Sequence, residues 1–240
     1  MPEDVDRTQP ESRLVASASR WARIRSQAIR ELVALATPRS VLAIRGSRRD
    51  RTRRIAITFD DGPDAMTRGY LDTLGELGIP ATFFLIGENA ARAPDAVADV
   101  VRRGHEVGGH GWSHTPFPAL TAGALLDEIG RTAAAIPVPI RLVRPPCGAL
   151  SMRALAQVAS AGYRTVLWSL DSDDCRTRDP HEVARRMSPA RVRSGDIVLM
   201  HEMQAWTLGA LRRAVPVLRD AGFTFTTVGD LIDGNRCVRD

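Results

Sequence analysis

Apolar residues recur along this chain in two alternating rhythms. Short β-prone runs stand near 54–59, 81–86, 106–109, 141–144, 164–168, 196–200 and 223–227. Between them, segments near 65–77, 89–103, 121–135, 151–161, 180–188 and 206–221 read as helices, with Thr121 and Ser151 placed as N-caps. Regular alternation of strand and helix predicts parallel strands covered by helices, in a barrel or a doubly wound sheet. The polar motifs of the chain fall just after the strands, where α/β folds build their sites.

Ahead of this alternation, residues 14–36 place Trp21, Ile24, Ala28, Leu32 and Leu35 along one helical face, which Pro38 ends. The preferred reading packs this face onto the barrel. Arg20, Arg23, Arg25 and Arg30 surround it and leave weak peripheral contact with an anionic membrane as the alternative. The arginine-rich run 48–54 reads as an exposed connector. The expected organisation is an N-terminal helical extension over 1–50 and a catalytic domain over 51–240.

Composition narrows the chemistry. With 240 residues and 44% apolar content, the chain can bury one substantial core. All 33 basic residues are arginine, which excludes Schiff-base catalysis, pyridoxal-phosphate anchoring and the lysine-dependent phosphate loop. The net charge of +5 comes without a zinc finger, an RNA-binding aromatic pattern or a phosphate-cradling loop, so no nucleic-acid partner is expected. Cys147, Cys175 and Cys237 are widely spaced, which argues against a disulfide framework and a structural zinc cluster. Cys147 and Cys175 are expected to stay reduced. No apolar stretch near the N-terminus is long enough for a secretory core or a membrane span, so the expectation is a cytoplasmic protein without integral membrane association.

Five short motifs carry candidate chemistry. Thr58-Phe59-Asp60-Asp61-Gly62-Pro63 sets two carboxylates at a strand end, where Gly62 and Pro63 break the pleat. Both can then face one site, one binding metal and the other moving protons; the plainer reading is a turn that caps the next helix. His110-Gly111-Trp112-Ser113-His114 brings two imidazoles to one face if the segment turns helically. With Asp61 they supply two nitrogens and an oxygen, a set suited to catalytic Zn²⁺ or a similar divalent ion. His105 reads as structural or surface.

Arg144-Pro145-Pro146-Cys147-Gly148 has a stiffened backbone in which Cys147 is the first residue after Arg144 able to offer an amide to an oxyanion. Arg144 can hold a carboxylate, although an ordinary strand-to-loop transition explains the same residues. The run from Trp168 to Cys175 places Asp171, Asp173 and Asp174 after a strand, and Ile197-Val198-Leu199-Met200-His201-Glu202 ends one with a histidine. Asp174 could raise the pKa of His201.

Taken in this order, TFDDGP, HxxxH, RPPxG, DxxD and LxH resemble the NodB-homology polysaccharide deacetylases over residues 54–232. This is the carbohydrate esterase family that includes chitin and peptidoglycan N-acetylglucosamine deacetylases. The resemblance implies an α/β fold, a distorted and often incomplete (β/α) barrel. It implies Asp61, His110 and His114 as metal ligands, Asp60 as general base oriented by Arg144, and His201 tuned by Asp174 as the acid that protonates the departing amine. The Cys147 amide would help hold the oxyanion, and Leu199 would line the acetyl pocket. Zinc is the first expectation for the metal, with cobalt, nickel and manganese as alternatives.

Three positions depart from the family pattern. Cys147 and Cys175 stand where an aromatic residue and a Trp are usual, and Glu202 stands where Asp often follows the histidine. Loss of the Trp removes a stacking surface, and only 5% of residues are aromatic. The implied function is therefore metal-dependent removal of N-acetyl groups from an amino sugar, an oligosaccharide or a sugar-containing metabolite. A metal-dependent amidase or esterase acting on a non-carbohydrate natural product, and a catalytically silent carbohydrate-binding protein, are the alternatives.

Overall fold

The computed structural model describes residues 29, 31–48 and 52–234. Trp21, Ile24, Ala28 and the arginines around them lie outside the described residues, as does Cys237. Residues 31–36 are helical, and Leu32 and Leu35 on that turn are exposed. The chain divides into two units, Met1–Pro38 and Arg39–Asp240. The second begins earlier than the expected domain start at 51, because β1, Leu42–Ala43, pairs with β6, Arg164–Val166.

The sheet runs in the order β1-β6-β5-β4-β3-β2-β8-β7, every neighbour parallel. Its other strands are β2 Arg54–Asp60, β3 Thr82–Leu85, β4 Glu106–Gly109, β5 Leu142–Val143, β7 Leu170–Asp171 and β8 Ile197–His201. A short β9, Thr224–Phe225, pairs with the start of β2. Strand order thus curls the sheet into an incomplete parallel barrel, as expected. Among the described residues no helix is long and apolar enough to cross a membrane.

The helices are α1 Thr67–Leu77, α2 Gly87–Arg92, α3 Pro94–Arg102, α4 Ala122–Ala135, α5 Met152–Ser160, α6 Pro180–Arg186, α7 Ala205–Asp220 and α8 Val228–Asp233. Thr121 and Ser151 cap α4 and α5 through their hydroxyls, as predicted. The single helix expected over 89–103 is instead two, because Pro94 lacks an N–H and drives Ala93 out of the helical region, to φ −133°. The two-residue strands β1 and β7 are too short to show a period.

Strand periodicity on β2 separates two of the three hydrophobic clusters found among the described residues. On β2, Ile55, Ile57 and Phe59 face the helices and pack with Phe83, Leu85, Val198 and Met200. The alternate residue Ala56 faces the barrel interior with Phe84, Leu142, Val166 and Ile197. Thr58 and Asp60 continue this inner row, and so do Leu199 and His201 on β8. The functional side chains are the polar top of the inner core.

Candidate active site

The register of β2 against β8 pairs Asp60 with His201 and Thr58 with Leu199. Side chains opposite one another on neighbouring parallel strands share a face, and the strands lie about 4.8 Å apart. Two expected proton-handling residues, distant in sequence, thus end side by side at the carboxyl edge of the sheet.

Arg144 fills the barrel beneath them. Its side chain is fully buried, with Nη1 donating to Asp60 Oδ1 at 2.6 Å and to Thr58 Oγ1 at 2.8 Å. Nε and Nη2 reach the carbonyls of Val166 and Leu167 at 3.4 and 3.3 Å, and the guanidinium lies 4.0 Å from the Phe84 ring centroid. Burial pulls its pKa down and Asp60 opposes that pull. The arginine was expected to hold a carboxylate, and Asp60 is that carboxylate. The Thr58, Phe84 and carbonyl partners have no signal in the sequence.

The three expected metal ligands converge. Asp61 Oδ1 lies 3.5 Å from His110 Nε2 and 3.1 Å from His114 Nε2, and the three donor atoms lie within 4.8 Å of one another. The two histidines meet by a route other than the helical turn expected: residues 110–114 form a loop, with positive φ at Gly111 (77°) and His114 (60°). Glu128 on α4 pins that loop, accepting hydrogen bonds from the amides of Trp112 and Ser113 and from the Ser113 hydroxyl. Asp61 itself sits at φ 76°, and its carbonyl accepts from Asn89 on α2.

This triad fits a divalent cation. His110 Nδ1 lies 2.7 Å from the Arg144 carbonyl, so Nε2 is the ring nitrogen turned to the Asp61 carboxylate. A carboxylate oxygen and two imidazole nitrogens that converge in this way make a donor set suited to a divalent cation. Asp61 Oδ1 is also buried without a hydrogen-bond partner. Burial works to raise the Asp61 pKa, but the neighbouring imidazoles hold the carboxyl well below the usual carboxylate range. The hydrogen bond to a backbone carbonyl fixes the His110 ring as in many metal sites.

Across from the triad, His201 Nδ1 bonds Asp174 Oδ1 at 2.8 Å, while Asp174 Oδ2 accepts from the His201 amide at 2.8 Å and from Thr207 Oγ1 at 2.9 Å. Trp206 Nε1 donates to the Asp174 carbonyl at 2.7 Å. Burial alone would lower the imidazole pKa. The hydrogen bond and charge of Asp174, with the charges of Asp60 and Asp61, instead push it up to about 9. Thr207 and Trp206, which brace Asp174 from α7, escaped sequence reasoning.

The remaining expected residues fall around this centre. Leu199 is buried on the inner row. Cys147 is exposed at the apex of a single helical turn, φ 57°, closed by Gly148 and Ala149 donating back to Pro145 and Pro146. Cys175 is exposed next to Asp174, and both cysteines are free thiols. Glu202 is buried: its carboxylate accepts from the Thr67 hydroxyl and packs against Gly62, where a Cβ would come 1.8 Å from Oε1. Only glycine fits there, so Glu202 holds the turn that carries the two aspartates. Of the two readings of His105, structural or surface, burial selects the first: Nδ1 accepts from the Ala81 amide at 3.2 Å, and burial lowers its pKa to about 4.

Known proteins similar to this chain were found by sequence and by structure. A polysaccharide deacetylase family model matches residues 47–166. The peptidoglycan-N-acetylglucosamine deacetylase PgdA of Listeria monocytogenes is 32% identical over 187 residues, which is 75% of this chain and 39% of the relative. The chain therefore spans about two fifths of that relative's length. A peptidoglycan-N-acetylglucosamine deacetylase of Bacillus cereus is 36% identical over 187 residues, 74% of this chain and 87% of its own. A crystal structure of a peptidoglycan N-acetylglucosamine deacetylase, bound to 4-naphthalen-1-yl-N-oxidanyl-benzamide, superposes with a TM-score of 0.76 at 26% identity, covering 82% of this chain and 97% of that one. With the five motifs brought to one edge of a curled parallel sheet, the chain belongs to the polysaccharide deacetylase family.

Proposed function

We propose that this chain is a metal-dependent N-deacetylase that hydrolyses the N-acetyl group of an amino sugar, presented as a single sugar or a short oligosaccharide. One juxtaposition carries the reading: Asp60 stands beside His201 across β2 and β8, next to a buried Asp61 oxygen that faces two imidazoles. Base, acid and cation seat meet at one strand-end edge.

When bound, a divalent ion supplies Lewis-acid polarisation of the acetyl carbonyl and acidifies water; the nitrogen-rich ligand set favours zinc. Asp60 takes the proton of the attacking water. Arg144 holds its Oδ1 and leaves Oδ2 toward the candidate cation ligands, 3.7 Å from His110 Nε2. The Cys147 amide, at the apex of a stiffened turn, donates to the oxyanion as it forms. His201 then passes a proton from Nε2 to the departing amine, its ring fixed by Asp174 at Nδ1. Leu199, on the same strand face as His201, lines the acetyl pocket. Exposed Cys147 and Cys175 offer no ring face for stacking, which favours a short substrate over a long polymer. Relatives named for peptidoglycan make its fragments part of the test.

Acetate release is measured from N-acetylglucosamine, chito-oligosaccharides and peptidoglycan fragments, with chelated protein and with protein reloaded with zinc, cobalt, nickel or manganese. The expected result is release from at least one of the shorter substrates, abolished by chelation and restored by zinc. Metal uptake without acetate release from any N-acetylated sugar overturns the proposal.

The pH dependence follows from His201. A proton donor must be protonated, so activity is lost as pH rises through its pKa. Metal-free protein is expected to show a His201 titration near 9 by NMR. A cation beside Asp61 adds positive charge and lowers that value, so the alkaline limb of kcat lies below 9. Asp174→Asn removes the largest upward influence, and the limb is expected to move down by at least one pH unit, about 1.4 kcal/mol of lost stabilisation of the imidazolium. An unmoved limb assigns the acid elsewhere.

A further inference from the structure

Asp174, Cys175 and His201 form a second group of potential ligands, separate from Asp61, His110 and His114: one oxygen, one sulfur and one nitrogen lie within 4.8 Å of one another. The three differ in access. Asp174 is buried, His201 is partly exposed and Cys175 is exposed, so the cluster opens to solvent on its sulfur side. Asp174 Oδ2 is committed to the His201 amide and to Thr207. Oδ1 bonds His201 Nδ1, and becomes available when that proton leaves.

The donor set has a clear preference. A thiolate, an imidazole and a carboxylate select borderline and soft ions such as Zn²⁺, Co²⁺ or Cd²⁺ over Mg²⁺ or Ca²⁺. A tetrahedral ion bonds sulfur at about 2.3 Å and nitrogen or oxygen at about 2.0–2.1 Å, which sets its donors roughly 3–4 Å apart. The donors, within 4.8 Å of one another, are to be drawn in to that size by rotation of the exposed Cys175 side chain. The backbone under it is already tight, with Arg176 and Thr177 amides both donating to the Asp173 carbonyl at 3.1 and 2.9 Å.

We propose that Asp174, Cys175 and His201 form an inhibitory site for a second, thiophilic divalent cation. Binding releases two protons to solvent, one from the Cys175 thiol and one from the imidazolium, and forms metal–sulfur and metal–nitrogen bonds. The regulatory consequence rests on the reading of His201 as the proton donor: with metal on Nδ1, Nε2 keeps a proton whose loss would leave an imidazolate, so the ring is far too weak an acid for the leaving amine. Enzyme with one ion is active, and enzyme with two is not.

The test titrates chelated full-length protein with Co²⁺ and follows the near-ultraviolet thiolate-to-cobalt charge-transfer band, with bound metal counted in parallel. The expected result is a band that grows only after the first equivalent, persists in Cys147→Ser and is lost in Cys175→Ser, where bound metal falls by one ion per chain. A band that survives in Cys175→Ser, or saturation at one ion without any band, overturns the proposal. In the acetate assay, each variant is compared with its own rate at one equivalent. Excess Zn²⁺ is expected to lower the parent rate by about 10²-fold and to leave Cys175→Ser unaffected. A second ion bound through Cys175 without loss of rate overturns the inhibitory role. Failure of every substrate would count against the deacetylase reading alone, since band and stoichiometry report on the site without turnover.

Discussion

Asp60→Asn is expected to lower kcat about 10³-fold, within the range that general-base removal costs, while bound metal per chain stays unchanged. The side chain keeps its shape, and its oxygen can still accept from Arg144 Nη1, which lies 2.6 Å from Oδ1 in the parent. What disappears is the proton acceptor. Because Asp61, His110 and His114 are untouched, substrate binding through the cation persists, and the loss should fall on kcat with little change in KM. Steady-state kinetics with counted metal check this. A variant within a few-fold of the parent rate would remove Asp60 from the chemistry.

Arg144→Met is expected to cost about 3–5 kcal/mol of stability, the usual penalty for breaking a buried ion pair from one side. It strands a carboxylate that is 4% exposed, and takes a donor from the Thr58 hydroxyl and from the carbonyls of Val166 and Leu167. At roughly 2–4 °C per kcal/mol for a domain of this size, the melting temperature falls by about 10 °C. Methionine can still fill the space against Phe84. Adding Asp60→Asn should recover part of the loss, because the stranded charge is then gone. Melting within a degree of the parent would show that the pair carries no structural load.

The strands and most helices could be read because their apolar residues keep a local period: Ile55, Ile57 and Phe59 against Ala56, Thr58 and Asp60 is one example. Asp60, Asp61, His110, His114, Arg144, Asp174 and His201 were legible as a constellation, since strand ends bring such motifs together. Their supports were not. Thr207 on Asp174, Glu128 on the Ser113 loop and Glu202 against Gly62 are common residue types whose partners come from remote elements. The positive φ angles at Asp61 and His114 also leave no mark in composition, which is why HxxxH suggested a helix and proved to be a loop.

The position of β2 between β3 and β8 sets an order on the protein's synthesis. By the time Arg144 has emerged from the ribosome, the chain already contains the candidate cation ligands Asp61, His110 and His114, Asp60 and the arginine beneath it. His201 comes only with β8, so a nascent or truncated chain ending earlier lacks the histidine that stands beside Asp60. Over the same interval the other edge of β2 lacks its partner strand, with Ile55, Ile57 and Phe59 flanking unpaired backbone. That exposed edge is a template for pairing with another chain, and the arrival of β8 ends both conditions at once.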